Sequence, residues 1–163
     1  MRELARLPID AEAFAAKYGP WAVIAGASEG TGECYARELA AMGINLVLVS
    51  RRSDALEALG AELKAKHGIE YRTLAQDLSA EGAGLNILEA AVGLDVGLSI
   101  SNAGADNFAR FFEDGTAGAH RLVRMNIVTL VDASNGFGQR FLERGKGGLI
   151  IMASGAGLGG QPN

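Results

Sequence analysis

Five stretches of the chain are rich in apolar residues, and segments with helical spacing separate them. These stretches are residues 21–27, 44–50, 69–76, 96–101 and 148–154. Four of the five are continuous apolar runs rather than alternations of apolar and polar residues, which is typical of parallel strands buried on both faces. We therefore predict five parallel strands.

The segments between the runs carry apolar side chains at α-helical spacing. Tyr35, Leu39 and Met42 fall at i, i+4 and i+7 after the first run, as expected of a helix that packs on a sheet. A second such segment has Ser53 as its predicted N-cap and Gly68 as its stop. Further helices are predicted over residues 9–18, 83–92 and 117–144.

Strands that alternate with helices predict a doubly wound α/β fold of the Rossmann type. Right-handed crossovers place the helices on both faces of one parallel sheet, for which we expect the strand order 3-2-1-4-5. The long helix over 117–144 carries Leu122, Asn126, Thr129 and Ala133 on one stripe. This stripe is predicted to face the sheet.

Length and composition fit one soluble globular domain. The chain has 163 residues, of which 48% are hydrophobic and 21% charged, so it can bury a core and is not disordered. We expect a single domain over 1–163, with residues 1–19 as an extension that carries a short helix. Residues 20–163 form the predicted sheet domain, incomplete at its C-terminal end.

Charge and cysteine content exclude several classes of partner. The net charge is −4 and no Lys/Arg cluster exceeds a doublet, so we expect no nucleic-acid partner. No apolar run approaches the roughly 18 residues of a membrane span. The single cysteine, Cys34, is predicted to be a small buried residue. It excludes a disulfide scaffold and suits a reducing compartment, so we expect a cytoplasmic protein without a metal site.

Each predicted strand ends in residues that a hydrophobic core does not require. In doubly wound sheets, ligands bind beyond the carboxyl ends of the strands. A purely structural explanation would have to account for all five strand ends at once, so we predict a ligand site there. The candidate residues are Gly26, Ser28, Glu29, Gly30, Thr31, Gly32, Ser50, Arg51, Arg52, Asp77, Leu78, Asn102, Ala103, Gly104 and Ser154.

The first of these strand ends is a glycine loop that opens a helix. Its spacing is G-x-x-x-G-x-G, from Gly26 to Gly32. Glycines permit a tight turn there and let backbone N–H groups approach a pyrophosphate at the helix N-terminus. A literal G-x-G-x-x-G occurs over residues 155–160, but no helix pattern follows it, and we interpret it as a coincidence.

The second strand end bears on the choice of cofactor. An acid there would accept hydrogen bonds from a ribose 2′-hydroxyl, whereas this chain has Ser50, Arg51 and Arg52. A hydroxyl and two guanidinium groups suit a 2′-phosphate. The alternative is a solvated arginine pair at a helix start. Asp77, after the third strand, could accept a hydrogen bond from an adenine amino group or serve as a turn or N-cap acid.

These motifs resemble those of the short-chain dehydrogenase/reductase family of the classical type, over residues 20–160. Residues 25–32 resemble its T-G-x-x-x-G-x-G loop, with Ala25 in place of Thr, and residues 101–104 resemble N-N-A-G, with Ser101 in place of the first Asn. Asn126 matches the family's active-site Asn and Ser154 its catalytic Ser. Residues 18–23, 33–39 and 48–51 resemble the branch of 3-oxoacyl-CoA reductases and type-12-like 17β-hydroxysteroid dehydrogenases, which uses NADPH.

The resemblance implies an NADP(H)-dependent oxidoreductase that transfers a hydride between nicotinamide and a small carbonyl or alcohol substrate. Ser154 would donate a hydrogen bond to the substrate oxygen, and Asn126 would anchor a water through its backbone. Asp77 and Leu78 would lie at the adenine, and residues 102–104 at the nicotinamide half. The resemblance also implies a homodimer or homotetramer. Two interpretations are open for three phenylalanines, an apolar substrate entrance or core anchoring of the fourth helix: Phe108, Phe111 and Phe112.

One motif of the family is absent from the 163 residues. The Tyr-x-x-x-Lys pair that supplies the proton would fall near position 167, whereas the sequence ends at Asn163. We expect a longer natural protein, and these residues alone to be inactive. The alternative is a catalytically inactive nucleotide-binding protein that lacks the pair. A methyltransferase on a similar sheet is disfavoured, because it would need an acid where Arg51 and Arg52 stand.

Overall fold

The computed structural model describes residues 9–105 and 113–158, and these residues build one five-stranded sheet. Every neighbouring pair of strands is parallel, and the order across the sheet is β3-β2-β1-β4-β5. The strands are β1 (Trp21–Ala25), β2 (Asn45–Ser50), β3 (Tyr71–Ala75), β4 (Val96–Ser101) and β5 (Gly148–Ile151). The predicted fold class and strand order are confirmed.

Helices cover both faces of the sheet. They are α1 (Ala11–Tyr18), α2 (Gly30–Ala41), α3 (Ser53–His67), α4 (Ala83–Ala90), α5 (Gly115–Val123) and α6 (Thr129–Arg144). A π-helical segment, Arg124–Val128, joins α5 to α6, and a 3-10 turn occupies Gly155–Leu158. The helix predicted over 117–144 is therefore present, but its α-helical geometry is interrupted in the middle.

The continuous apolar runs reflect burial of the strands from both sides. In β1, Ile24 packs with the core residues beneath α2 and α3, whereas its neighbour Val23 packs with those beneath α4 and α6. Both side chains are at most 1% exposed. Successive residues of a strand point to opposite faces, so a strand covered on both faces needs apolar residues at every position.

The strands end earlier than the apolar runs predicted. The run over 21–27 forms a strand only to Ala25, because the N–H groups of Gly26 and Ala27 both donate to the carbonyl oxygen of Val49, at 2.8 and 3.1 Å. This arrangement turns the chain out of the sheet. The runs over 69–76 and 148–154 are likewise shortened, to 71–75 and 148–151.

Two local predictions on the helices are wrong. Ser53 is the first residue of α3 rather than its N-cap, and Arg52 holds the N-cap position. Cys34 is exposed, because α2 buries the face that carries Ala36 and Leu39, and Cys34 is two residues, about 200°, away from Ala36. The predicted stop at Gly68 is confirmed by its left-handed backbone, with φ of 72°.

The N-terminal helix α1 is held at the opposite end of the sheet from the predicted site. Phe14 and Tyr18 pack against the core. Arg144, at the end of α6, donates to the carbonyl oxygen of Gly19 and pairs with Asp95 at 2.7 Å. Within the described residues, no helix is both long and apolar enough to cross a membrane.

Candidate functional site

A cleft of about 360 Å³ lies at the carboxyl ends of β1, β2 and β4. It brings together most of the candidate residues predicted from the strand ends. Its lining residues are Gly26, Ser28, Glu29, Ser50, Arg51, Arg52, Gln76, Leu78, Asn102, Ala103, Gly104 and Met125. The candidates that are not among the lining residues are Gly30, Thr31, Gly32, Asp77, Asn126 and Ser154, and the lining residues Gln76 and Met125 were not among the candidates.

The glycine loop is shaped by two close approaches of the backbone. Gly26 has a φ of 86°, and a Cβ there would lie 2.8 Å from the Cα of Ala103. A Cβ on Gly32 would collide with the carbonyl oxygen of Gly26. The loop thus folds tightly onto the start of α2, whose first N–H groups have no partner within the helix. Such a helix N-terminus favours a negatively charged group.

The end of β2 supplies the positive charge of the cleft. Ser50 is buried and its Oγ accepts a hydrogen bond from the backbone N–H of Arg52, at 3.2 Å. The Arg52 guanidinium crosses to the glycine loop, where Nη2 donates to the Ser28 carbonyl oxygen at 3.1 Å and to Ser28 Oγ at 3.2 Å. The same nitrogen lies 2.8 Å from Glu29 Oε2. Arg51 is exposed and also lines the cleft.

Asp77, after β3, makes a local turn beside the cleft. Its Oδ1 accepts hydrogen bonds from the backbone N–H of Ser79 at 2.9 Å and from Ser79 Oγ at 2.8 Å. These two hydrogen bonds hold the pKa of the Asp77 carboxyl below its ordinary value. Its neighbours Gln76 and Leu78 form this wall of the cleft. Gln76 directly follows β3, and this position at a strand end is the signal that could have identified it as a lining residue.

The end of β4 is tied to the glycine loop through Asn102. Its Nδ2 donates to the carbonyl oxygen of Gly26 at 3.1 Å. The backbone N–H groups of Asn102 and Ala103 both donate to the carbonyl oxygen of Ala25, at 3.0 and 2.9 Å. The Asn102 side chain therefore fixes the backbone of two strand ends, and Asn102, Ala103 and Gly104 line the cleft on this side.

The π-helical segment connects two walls of the cleft. The Asn126 side chain binds both backbone groups of Ala105, since Oδ1 accepts from the N–H at 3.1 Å and Nδ2 donates to the carbonyl oxygen at 2.9 Å. On the other wall, Arg124 Nε donates to the carbonyl oxygen of Ser79 at 2.8 Å. Just beyond the segment, the buried Thr129 Oγ1 donates to the carbonyl oxygen of Leu78 at 2.8 Å.

The predicted stripe on this helix is correct only in part. Thr129 and Ala133 are buried against the sheet, whereas Leu122 is half-buried and Asn126 is exposed. The π-helical turn widens the helix between them, and π-turns occur frequently at functional sites. Without a proline or glycine at this turn, the pattern of apolar residues gives no sign of it.

Ser154 lies three residues beyond the end of β5, the strand next to β4, and is exposed. Since β5 is parallel to β4, Ser154 is at the same edge of the sheet as the cleft, although it is not among the lining residues. Phe108, Phe111 and Phe112, for which a role in substrate entry or core packing was predicted, lie outside the described residues.

A doubly wound parallel sheet, with a glycine loop at a helix N-terminus and a cleft across its central strand ends, defines a Rossmann-type α/β domain. The family model described as short chain dehydrogenase matches residues 20–163. The chain belongs to the short-chain dehydrogenase family. This confirms the family resemblance seen in the motifs.

Three similar proteins illustrate the relationship. A 7beta-hydroxysteroid dehydrogenase of Collinsella aerofaciens is 30% identical, over 90% of this chain and 56% of its own. The human very-long-chain 3-oxoacyl-CoA reductase is 31% identical, over 86% of this chain and 46% of its own. The solved structure of a short-chain dehydrogenase from Sphingobium yanoikuyae in complex with NADPH has a TM-score of 0.80 and 30% identity, over 86% of this chain and 56% of that chain.

These relatives carry the names of oxidoreductases, and none of them supports the alternative of an inactive nucleotide-binding protein. The family resemblance and the NADPH complex point to a nicotinamide nucleotide as the cofactor. The chain spans about half the length of the curated relatives it matches.

Proposed function

We propose that the protein is an NADP(H)-dependent oxidoreductase that transfers a hydride between nicotinamide and a carbonyl or alcohol substrate. The observation that carries this proposal is the presence of Arg51 and Arg52 in the lining of the cleft, directly after β2. This position would need a carboxylate to bind an unmodified ribose. Two guanidinium groups favour a phosphate there.

The residues at the cleft fit such a dinucleotide. A side chain at Gly26 or Gly32 would fill the backbone cradle at the start of α2, and the adenosine side carries the positive charge. We assign the pyrophosphate to the N-terminus of α2 at Gly30, Thr31 and Gly32. The other assignments are a 2′-phosphate at Ser28, Ser50, Arg51 and Arg52, an adenine at Asp77 and Leu78, and a nicotinamide half at Asn102, Ala103 and Gly104.

Asp77 can offer one of its two carboxylate oxygens to the adenine. Its Oδ1 is bound to Ser79, so Oδ2 is the acceptor we assign to an adenine amino group. The local turn thereby orients the carboxylate rather than competing with the assignment. The turn interpretation and the adenine interpretation of Asp77 are in this way compatible.

The bound cofactor would supply or accept the hydride, and this chain would contribute hydrogen bonds at the reacting oxygen. Ser154 is the proposed donor of one of them. The Asn126 side chain is held by Ala105, so we assign to its backbone the anchoring of a water. The 163 residues contain no Tyr-x-x-x-Lys pair, which is the proton source that the family resemblance implies, and we expect these residues alone to be inactive.

We further propose a small-molecule carbonyl or alcohol as substrate, a homodimer or homotetramer as the working form, and a cytoplasmic location. The support is the family membership and the names of the relatives, which act on hydroxysteroids and 3-oxoacyl-CoA. Size-exclusion chromatography with light scattering tests the oligomer.

Equilibrium titration of the full-length gene product with NADPH and NADH tests the cofactor assignment. We expect NADPH to bind at least about tenfold more tightly, because charge-assisted hydrogen bonds to phosphate contribute about 1.5–3 kcal/mol. Equal binding of the two dinucleotides, or a preference for NADH, would refute NADP(H) dependence. Failure of both to bind would refute the proposed function altogether.

A further inference from the structure

A carboxylate side chain lies in the part of the cleft to which we assign the 2′-phosphate. Glu29, in the glycine loop, lies beside the proposed 2′-phosphate site, and its Oε2 is 2.8 Å from Nη2 of Arg52. Ser28 also binds through that same nitrogen, with its carbonyl oxygen at 3.1 Å and its Oγ at 3.2 Å. All three contacts of the Arg52 guanidinium in the described residues thus converge on Nη2.

This convergence limits how Arg52 can bind a phosphate. A guanidinium has two edges that can donate a pair of parallel hydrogen bonds, Nε with Nη2 and Nη1 with Nη2. Both edges include Nη2. Nη2 donates both of its recorded hydrogen bonds to Ser28 and forms an ion pair with Glu29. A two-bond phosphate contact therefore needs Nη2 to be released from Ser28, and it brings the phosphate up against the Glu29 carboxylate.

Electrostatics act in the same direction. A phosphate monoester carries a charge of about −1.5 to −2 at neutral pH, and a phosphate on Arg52 would share its guanidinium with the Glu29 carboxylate. Two anions so close repel each other. The ion pair itself is weak, since the side chains of Arg52 and Glu29 are 54% and 77% exposed. A 2′-phosphate can therefore displace Glu29, but at a cost that a nucleotide without this phosphate does not meet.

We propose that Glu29 is a resident competitor for the 2′-phosphate, and that it limits the preference of this protein for NADPH over NADH. The inference rests on the proposed function, because it needs the 2′-phosphate to bind at Arg52. Glu29 acts through Arg52 and does not touch the reacting atoms, so its effect is on nucleotide affinity and selectivity.

Two nucleotides that differ only in the 2′-phosphate test this inference. The dissociation constants of adenosine 2′,5′-bisphosphate and 5′-AMP are measured calorimetrically on the full-length gene product and on its Glu29→Gln variant. We expect the substitution to tighten binding of the bisphosphate about threefold to tenfold and to leave 5′-AMP within about twofold. In an Arg52→Met background, the same substitution is expected to change bisphosphate affinity less than about twofold.

A matched control separates the local effect from a change in net charge. Glu33 lies one turn further along α2, pairs with Arg37 at 2.8 Å and does not line the cleft. Glu33→Gln removes the same charge, and we expect it to leave both affinities unchanged. An equal gain in the Glu33→Gln variant would contradict a role for the Glu29–Arg52 pair.

The outcomes distinguish this inference from the proposed function. If the wild-type protein binds the bisphosphate more tightly than 5′-AMP, but Glu29→Gln leaves that affinity unchanged or weakens it, Glu29 does not compete for Arg52 and only this inference fails. If the wild-type protein binds the two nucleotides equally, there is no 2′-phosphate site at Arg52. The inference and NADP(H) dependence then fail together.

Discussion

The two ends of the cleft are built in different ways. At the end that we assign to the adenosine half of the cofactor, charged side chains reach the cleft from exposed positions. Arg51 and Arg52 line it after β2, and Arg52 extends to Ser28 and Glu29 in the glycine loop. The charge of these side chains favours one kind of ligand over another. This end therefore depends on which residues are present, and less on small changes in backbone geometry.

At the end that we assign to the nicotinamide half, polar side chains are bound to the backbone instead. The amide of Asn102 binds the Gly26 carbonyl, and the amide of Asn126 binds both backbone groups of Ala105. These amides fix the shape of the wall. The comparison teaches that substitutions at the adenosine end should change which nucleotide binds, whereas substitutions at the other end should change the shape and stability of the site.

The largest expected effect is at the adenosine end. Replacing both Arg51 and Arg52 by methionine is expected to weaken NADPH binding about 100-fold and NADH binding less than about twofold, since each lost charge-assisted contact is worth roughly one factor of ten. Fluorescence titration measures both affinities. Replacing Lys64 and Lys66, two exposed cations of α3 outside the cleft, by methionine is the control. A similar loss for NADH would mean that the arginines do not discriminate.

The second-largest expected effect concerns the glycine loop, which lies between the two ends of the cleft. Gly32→Ala forces a Cβ against the Gly26 carbonyl oxygen, and we expect it to lower the free energy of unfolding by about 1–3 kcal/mol. Gly138→Ala, also within a helix but with no neighbouring atom within 4 Å of the added Cβ, is expected to raise it by up to about 1 kcal/mol. Urea denaturation measures both. Equal effects of the two substitutions would contradict the close approach.

A smaller effect is expected at the nicotinamide end. Asn126→Ala removes two hydrogen bonds to Ala105, and we expect it to lower the free energy of unfolding by about 1–2 kcal/mol. It should weaken NADPH binding about fivefold. The affinity for adenosine 2′,5′-bisphosphate, which we assign to the other end alone, should stay within about twofold. Calorimetric titration distinguishes the two. An equal loss of affinity for both nucleotides would show that the two ends of the cleft do not bind independently.

The smallest effect is a pH dependence at Asp77. Hydrogen bonds from Ser79 lower the pKa of Asp77 in the folded state, so this residue stabilises the fold above its unfolded pKa, and that stabilisation is lost as the pH falls through the folded pKa. Ser79→Ala should raise the pKa of Asp77 and reduce the loss of stability on acidification. A carboxyl-carbon NMR titration measures the pKa. An unchanged pKa in Ser79→Ala would contradict the hydrogen bond from Ser79 Oγ, since the variant keeps the backbone N–H.

The same contrast explains what the sequence could predict. The fold was predictable because a strand covered on both faces must be apolar throughout, as Val23 and Ile24 are. The cleft itself was predictable, because its lining comes from residue types at strand ends, such as Arg51 and Arg52; their role toward an adenosine stays a prediction. The pairing of Arg52 with Glu29 was not, since no periodic pattern specifies where an exposed side chain turns.

The remaining errors have local physical causes. The π-helical turn at Asn126 arises from tertiary contacts with two loops, at Ala105 and Ser79, which a pattern of apolar residues does not encode. Ser53 was predicted as an N-cap because its residue type favours that position, but Arg52, whose backbone N–H donates to Ser50 Oγ, holds the N-cap position instead. Such contacts need the folded chain.

The most direct test of the central claim is a crystal structure of the full-length protein with bound NADP+. We expect the 2′-phosphate to lie within about 3 Å of the guanidinium nitrogens of Arg51 or Arg52, and the pyrophosphate at the N-terminus of α2. A 2′-phosphate that faces solvent, with no contact to either arginine, would contradict the account.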